Sequence, residues 1–417
     1  MKSQLVTAAF LLSAICSSAQ DQISLRSNAH IGLTYPLSTN GANAGLYTNR
    51  VSIHALSGLS LNEEAFCASG IASVITQNAH GMVASGVVNV IGGNVSGLAA
   101  AGVYNYTGKN VHGVQAAGVL NMANTVSGIQ AAGFANLATK GVHGAQLAGF
   151  ANIADTAHAQ ISGFANIAHE SNVQLGGFFN IADSAEVQIS GFLNVAEKCD
   201  AQVAGFINVA NEVKGTQVAG FINVAHKVTG VQLSGFINIA DSSDCPIGII
   251  NIIGNGEQAL GFTVNEIGTT LATFRSGGSK LYGIIGIGGN FADSYEAFAI
   301  QAGIGMHMPI SRNFRFNSEV TVTSLSDRRF NTDLRSSVKL LPALRLGRFE
   351  LFAGPTFSYT TTSDNQGLGR VGYSLWSKDR YYQSQDLSIG FESGIQYHFN
   401  IKKIFNKVFS EKKVENQ

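Results

Sequence analysis

The 417 residues carry a formal net charge of zero and include 48 glycines but only 5 prolines, with 12% of side chains charged. A charged share about half that of an ordinary soluble domain is too small to coat a conventional water-facing surface. With no net positive charge there is no basic face for a nucleic acid, so no nucleic-acid partner is expected, and 45% hydrophobic residues exclude a disordered chain.

The chain opens with Lys2, a largely apolar run from Leu5 to Ile15, and the small residues Ser17-Ser18-Ala19. This is the pattern of a signal peptide over 1–19, cleaved before Gln20, and it predicts export. Cys16 raises lipoprotein processing as an alternative, although bulky Ile15 before it fits a lipid-attachment site poorly. The remaining Cys67, Cys199 and Cys245 are odd in number and lack Cys-x-x-Cys spacing, so neither a disulfide framework nor a zinc site is expected. No other segment approaches the roughly 18 apolar residues of a membrane helix, so any crossing of a bilayer must be made by strands. Within 20–78, His30 to Pro36 and Val51 to Leu61 read as opening strands.

From 79 to 257 the sequence repeats. A Gly-x-x-Asn unit starts at Gly86, Gly102, Gly118, Gly133, Gly149, Gly163, Gly177, Gly191, Gly205, Gly220, Gly235 and Gly248. Phe follows the glycine in eight of the twelve, and a Gln precedes it by three residues in nine, from Gln115 to Gln232. The period within a unit is two, which predicts strands: around Gly235, Val231, Leu233, Ile237 and Ile239 share one face while Gln232, Ser234, Phe236 and Asn238 share the other. Polar segments such as Asp155-Thr156-Ala157-His158 have turn composition. Two arrangements accept such a unit. In an antiparallel meander, Gly235 opposite Gly220 sets Gln232 against Asn223 and Phe236 against Ala219, pairing polar with polar and large with small. In a β-solenoid, parallel coils stack identical residues and escape the shear that closing a barrel demands.

Residues 258–400 read as an antiparallel meander with strands at Lys280 to Phe291, Glu296 to Ile310, Asn313 to Leu325, Asp333 to Leu346, Arg348 to Thr360 and Asp386 to Phe399. Tyr282, Tyr295, Phe352, Phe357, Tyr359, Tyr397 and Phe399 supply aromatics suited to a membrane interface. The favoured expectation is therefore an all-β, up-and-down outer-membrane barrel of roughly two dozen strands that includes the repeats. The alternative is a β-solenoid block followed by a C-terminal barrel-like meander. The 401–417 tail alternates apolar and basic residues, which fits a short periplasmic amphipathic helix.

The signal peptide, the opening "TNRVSIHALSGLS", the block of "GVQLSGFINIA" units and the closing "PIGIINI...YGIIGIGGNF...GIGMHMPISRNFRFNSEV" together resemble the bacterial surface-repeat family of outer-membrane proteins. The resemblance covers nearly the whole mature chain. It implies an outer-membrane location, lipid as partner and a β fold, and brings no catalytic residue with it. Phe after the repeat glycine departs from the Leu or Val associated with other members.

Motifs of chemistry are sparse. His112, His143, His158, His169 and His226, like Asp183, Glu186, Asp200 and Asp241, fall near turns without metal-ligand spacing and read as solvated turn residues. Gly286-Ile287-Gly288 and Gly303-Ile304-Gly305 lack the rest of a phosphate-loop fingerprint, and neither a nucleophile elbow nor a His-Glu-x-x-His motif occurs. No enzyme, cofactor or metal is expected. The Gln and Asn rows could line a polar lumen or bond across strands, and the Phe row reads as a covered aromatic stripe. The irregular stretch Thr361 to Gln385 offers Arg370, Tyr373, Trp376, Arg380, Tyr381 and Tyr382 as a candidate surface recognition loop. The functional expectation is a non-enzymatic outer-membrane or surface repeat protein, either a pore or passive transporter, or else an adhesion or structural protein or a secreted binding solenoid.

Overall fold

The computed structural model describes residues 24–278, 280–290, 297–326, 332–362, 373–380 and 383–399. The expected signal peptide over 1–19 and the 401–417 tail lie outside them. The chain divides into two units, Met1–Glu197 and Lys198–Gln417.

The first unit is a stack of parallel coils. Each coil has two walls, such as Gly141–Ala148 and Ala151–Ile153, and each wall pairs with its counterparts in the coils before and after. Gln130, Gln146 and Gln160 lie in register, as do Asn136, Asn152 and Asn166. The all-β expectation holds, and of the two arrangements the repeats adopt the solenoid. The antiparallel register that sets Gln against Asn is corrected: like stacks on like. A primary amide carries both donors and an acceptor, so its best partner one strand spacing away is its own copy. The repeated glycine is a corner rather than the centre of a palindrome, because a Cβ on Gly149 would lie 2.1 Å from the Gly133 carbonyl oxygen. Only glycine lets consecutive coils close to this spacing at the corner. The stacking begins upstream of the repeat motif, since Leu25–Thr34, Tyr47–His54 and Asn62–Ser69 already run parallel in register.

The second unit holds further coils and a barrel. Ile207–Ala219, Ile222–Ser234, Ile237–Ile247 and Ile250–Ile253 are parallel. The chain then changes regime. Strands β1 (Glu257–Asn265), β2 (Thr269–Gly277), β3 (Leu281–Asn290), β4 (Ala297–Pro309), β5 (Phe314–Ser326), β6 (Thr332–Leu346), β7 (Phe349–Thr362) and β9 (Gln383–Phe399) form an antiparallel wall, and β8 (Tyr373–Arg380) extends β9 outside it. Pairing of β1 with β9, Gln258 opposite Phe399, closes the wall into an eight-stranded barrel. The expected strand count of about two dozen is thus corrected, because the repeats do not enter the barrel. Two of the eight, β1 and β2, fall where the sequence reading placed no strand. The last coil docks on the barrel: the Asn251 backbone N–H donates to Ser276 Oγ at 2.9 Å, and Gln258 Nε2 donates to the Ile253 carbonyl at 2.7 Å.

Candidate functional site

Alternation along the barrel strands sorts side chains by polarity in the sense opposite to a soluble protein. On β6, Asp333, Arg335, Ser337 and Lys339 point inward and are buried, while Leu334 and Val338 point outward and are exposed. The outer wall also carries Leu260, Phe262, Ile300, Ile304, Val320, Leu351, Phe357 and Ile395, all exposed. A soluble monomer rarely leaves an apolar surface of this extent facing water.

The interior is filled with paired charges. Arg275 forks onto Glu319 through Nε at 2.8 Å and Nη2 at 3.2 Å, and Tyr282 Oη donates to the same carboxylate at 2.9 Å. Lys339 Nζ lies 2.6 and 2.9 Å from the two Glu392 oxygens. Arg315 bridges Glu257 at 2.8 Å and Glu350 at 2.5 Å, with His398 Nε2 2.9 Å from Glu350. Arg335 pairs with Glu266. Burying an ion costs several kcal/mol unless it is paired and hydrogen-bonded, and these are both. An interior of eight strands is only wide enough for such side chains to fill. Tyr282 and Phe352, expected at the membrane interface, are inside this network instead, with the Arg275 guanidinium 4.9 Å above the Phe352 ring. Phe357, Tyr359 and Tyr397 do face outward, and Tyr295 lies outside the described residues.

In the coils, the Gln and Asn rows are fully buried ladders. Asn152 Nδ2 donates to Asn166 Oδ1 at 3.0 Å, and Gln160 Nε2 donates to Gln146 Oε1 at 2.9 Å. They line no lumen. Gln146 Nε2 also reaches across to the Ile153 carbonyl and Asn152 Nδ2 to the Gln146 carbonyl, so the two rows tie the walls together behind the glycine corner. The Phe row is outward and exposed, not covered: Phe134 is 52% and Phe150 41% accessible. Its rings stack at 4.9 Å between Phe134 and Phe150 and 4.8 Å between Phe150 and Phe164, nearly parallel, so that ring edges form a ridge. In the second unit Phe206, Phe221 and Phe236 repeat the stack at 5.0 and 5.1 Å.

The first coils hide a polar cluster that sequence reasoning missed. Glu63 is fully buried and accepts from Ser52 Oγ at 2.7 Å and Asn49 Nδ2 at 3.2 Å. Burial pushes its carboxyl up to about 7. His54 Nε2 lies 3.2 Å from His30 Nδ1, and burial, helped by the neighbouring imidazole, pulls His54 down to about 4 and lowers His30. Burial likewise pushes the Cys67 and Cys199 thiols up to about 12, which makes them inert.

The other candidates spread apart. His143 and His158 meet edge to face at 5.6 Å, His169 pairs with Asp183 at 2.6 Å and His226 with Asp241 at 2.7 Å, all on exposed corners. Among the described residues no group of three His, Cys, Asp or Glu could hold a metal. Of the recognition-loop residues, Tyr373 and Trp376 are exposed on β8 and Arg380 ends that strand, so part of the stretch read as irregular is a hairpin strand. Arg370, Tyr381 and Tyr382 lie outside the described residues. No family model matches the chain, and no curated protein or solved structure matches it at a significant level.

Proposed function

We propose that the barrel is an outer-membrane anchor with a closed lumen and that it carries the repeat solenoid as a scaffold without enzymatic activity. The observation that supports this reading is the inverted polarity of the barrel, with a continuous apolar exterior around an ion-paired interior. Strands of 13 to 17 residues such as β5 and β9, rising about 3.3 Å per residue and tilted about 40°, span the roughly 25 Å apolar band of such a barrel. The filled interior favours an anchor over the pore or passive transporter. The family resemblance and the N-terminal signal pattern point to the same compartment.

Loop lengths suggest an orientation. The rim that carries the start of β1 and the end of β9 has only the short connections 278–280, 310–313 and 347–348, while the opposite rim has 266–268 and the longer 291–296, 327–331 and 363–382. Outer-membrane barrels keep short turns on the periplasmic side. The coils docked at β1 therefore lie in the periplasm, and β8 with Tyr373 and Trp376 lies outside the cell. Membrane fractionation with a heat-dependent gel shift tests insertion, and planar-bilayer recording tests closure. We expect a carbonate-resistant, heat-shifted band and no steady conductance. A protein that washes off with carbonate and runs alike with and without boiling sinks the anchor, and stable open channels sink the closed lumen.

A further inference from the structure

The repeat block sorts its charge as sharply as the barrel sorts its polarity. In each of the eleven repeats from Gly86 to Gly235, the ten residues from four before the glycine to five after it contain no Asp, Glu, Lys, Arg or His. Every charge of these repeats sits at the other corner of the coil, as in Asp155, Asp183, Lys198 and Lys227. Soluble solenoids need polar outer rows on every wall that faces water, and this one lacks them on half its circumference.

What the charge-free corner exposes is hydrocarbon. Beside the stacked Phe ridge, Leu147 and Ile161 on one wall and Ile153 on the other point outward and are about 40% accessible. On the first wall the outward row shrinks to Ala84, Ala100 and Ala116, leaving a groove of about 910 Å³ floored by Ala and Gly. The Asn and Gln amides of these coils are sealed inside and bonded to one another, so the polar atoms left at this corner are few: the Tyr104 and Tyr106 hydroxyls, the exposed Thr216, and Ser69, Ser85 and His54 along the groove. A protein partner normally meets a polar rim around an apolar centre. Here the apolar strip continues from coil to coil without one.

We propose that the Gly-Phe corner is a second lipid-contacting surface, on which the solenoid lies along a bilayer with its Phe ridge among the acyl chains and its charged corner in water. This rests on the membrane reading of the barrel, whose first strand follows the last coil after only residues 254–256. The charged corner mixes signs, so attachment is driven by apolar burial and needs no anionic headgroup.

The test uses the full chain reconstituted in phosphatidylethanolamine–phosphatidylglycerol vesicles, with the sole tryptophan removed by Trp376→Phe and single probes introduced by Phe150→Trp or Phe178→Trp on the ridge, Asp155→Trp on the charged corner and Phe298→Trp on the barrel wall. Lipids brominated on their acyl chains report depth. With the ridge about 5–10 Å into the interface, the ridge and barrel probes lose about half their fluorescence, the corner probe keeps nearly all of it, and added salt changes neither. A quenched barrel probe with unquenched ridge probes overturns the proposal and leaves the anchor standing. An unquenched barrel probe overturns the anchor and the proposal with it. Ridge probes shielded from both brominated lipid and aqueous iodide, in a protein that sediments as a dimer, overturn it in favour of a contact between two copies of this chain.

Discussion

Replacing Asn152 by Leu isolates the contribution of one rung. Asn152 is fully buried, its Nδ2 donates to the Ile161 carbonyl at 2.8 Å, to Asn166 Oδ1 at 3.0 Å and to the Gln146 carbonyl at 3.2 Å, and its Oδ1 accepts from Asn136 Nδ2 at 3.0 Å. Leucine keeps the same branched four-atom skeleton, is bulkier, and has no polar atom. Each buried acceptor that loses its donor costs about 1–3 kcal/mol, and the loss falls chiefly on the Ile161 carbonyl and Asn166 Oδ1, which hold the two shortest of the three contacts. Burying the added methyl groups returns about 1–2 kcal/mol. The net loss is about 3 kcal/mol, or roughly a hundredfold in the local opening constant. Each coil touches only its neighbours, so the effect should stay local. Hydrogen exchange read by mass spectrometry should show that drop in protection over residues 146–167 and little change three coils away. Protection within about threefold of the parent over that segment, or a loss spread evenly along the chain, would refute the view that the amide ladder holds the coils together.

Gly149→Val places a branched side chain where even a Cβ meets the Gly133 carbonyl at 2.1 Å; protease cleavage near that corner should appear under conditions that leave the parent intact, whereas the same change at exposed Gly347, with nothing within 4 Å but φ at +67°, should strain only its own turn. In the barrel, Lys339→Met strands the buried Glu392 carboxylate and should cost about 3–5 kcal/mol, seen as a lower temperature for the gel shift. Adding Glu392→Gln should recover most of it, and failure to recover would mean that Lys339 acts through packing. The first coils should be most stable in mildly acid solution. Glu63, raised to about 7 by burial, favours the folded state at low pH and loses that advantage as pH rises from its usual value through 7; His54, lowered to about 4 by burial, stabilises above its usual value and loses that as pH falls toward 4. Glu63→Gln should abolish the alkaline loss and keep the acid one in exchange measurements over residues 47–69.

Much of this is written in the residues. The period of two and the C-terminal alternation fixed the all-β class and pointed to a barrel. The pairing mode was harder to read, because a unit nearly symmetric about its glycine satisfies polar-with-polar in either direction. What decides it is three-dimensional: the Gly-to-Gly carbonyl approach and the capacity of an amide to bond its own copy. Strand β2 escaped notice because Thr269, Thr270, Thr273 and Ser276 blur its alternation. The lumen pairs were half legible, since Arg335, Ser337 and Lys339 share a face in the sequence, but which carboxylate meets which cation depends on closure, which brings residues such as Lys339 and Glu392 together from strands not adjacent in the chain.

The ladders are directional, and their ends show it. Asn89 Oδ1 and Gln232 Oε1 have no hydrogen-bond partner, for the position before Asn89 is Ser73 and the one after Gln232 is Pro246. Each further rung would bring one donor and one acceptor and move the orphaned atom along by one coil, leaving their number unchanged. The energetic cost of ending a ladder is therefore independent of its length. A gene that duplicates or deletes a whole unit alters the reach of the protein by roughly 4.8 Å and disturbs neither terminus, so the block behaves as a spacer whose length selection can adjust one step at a time.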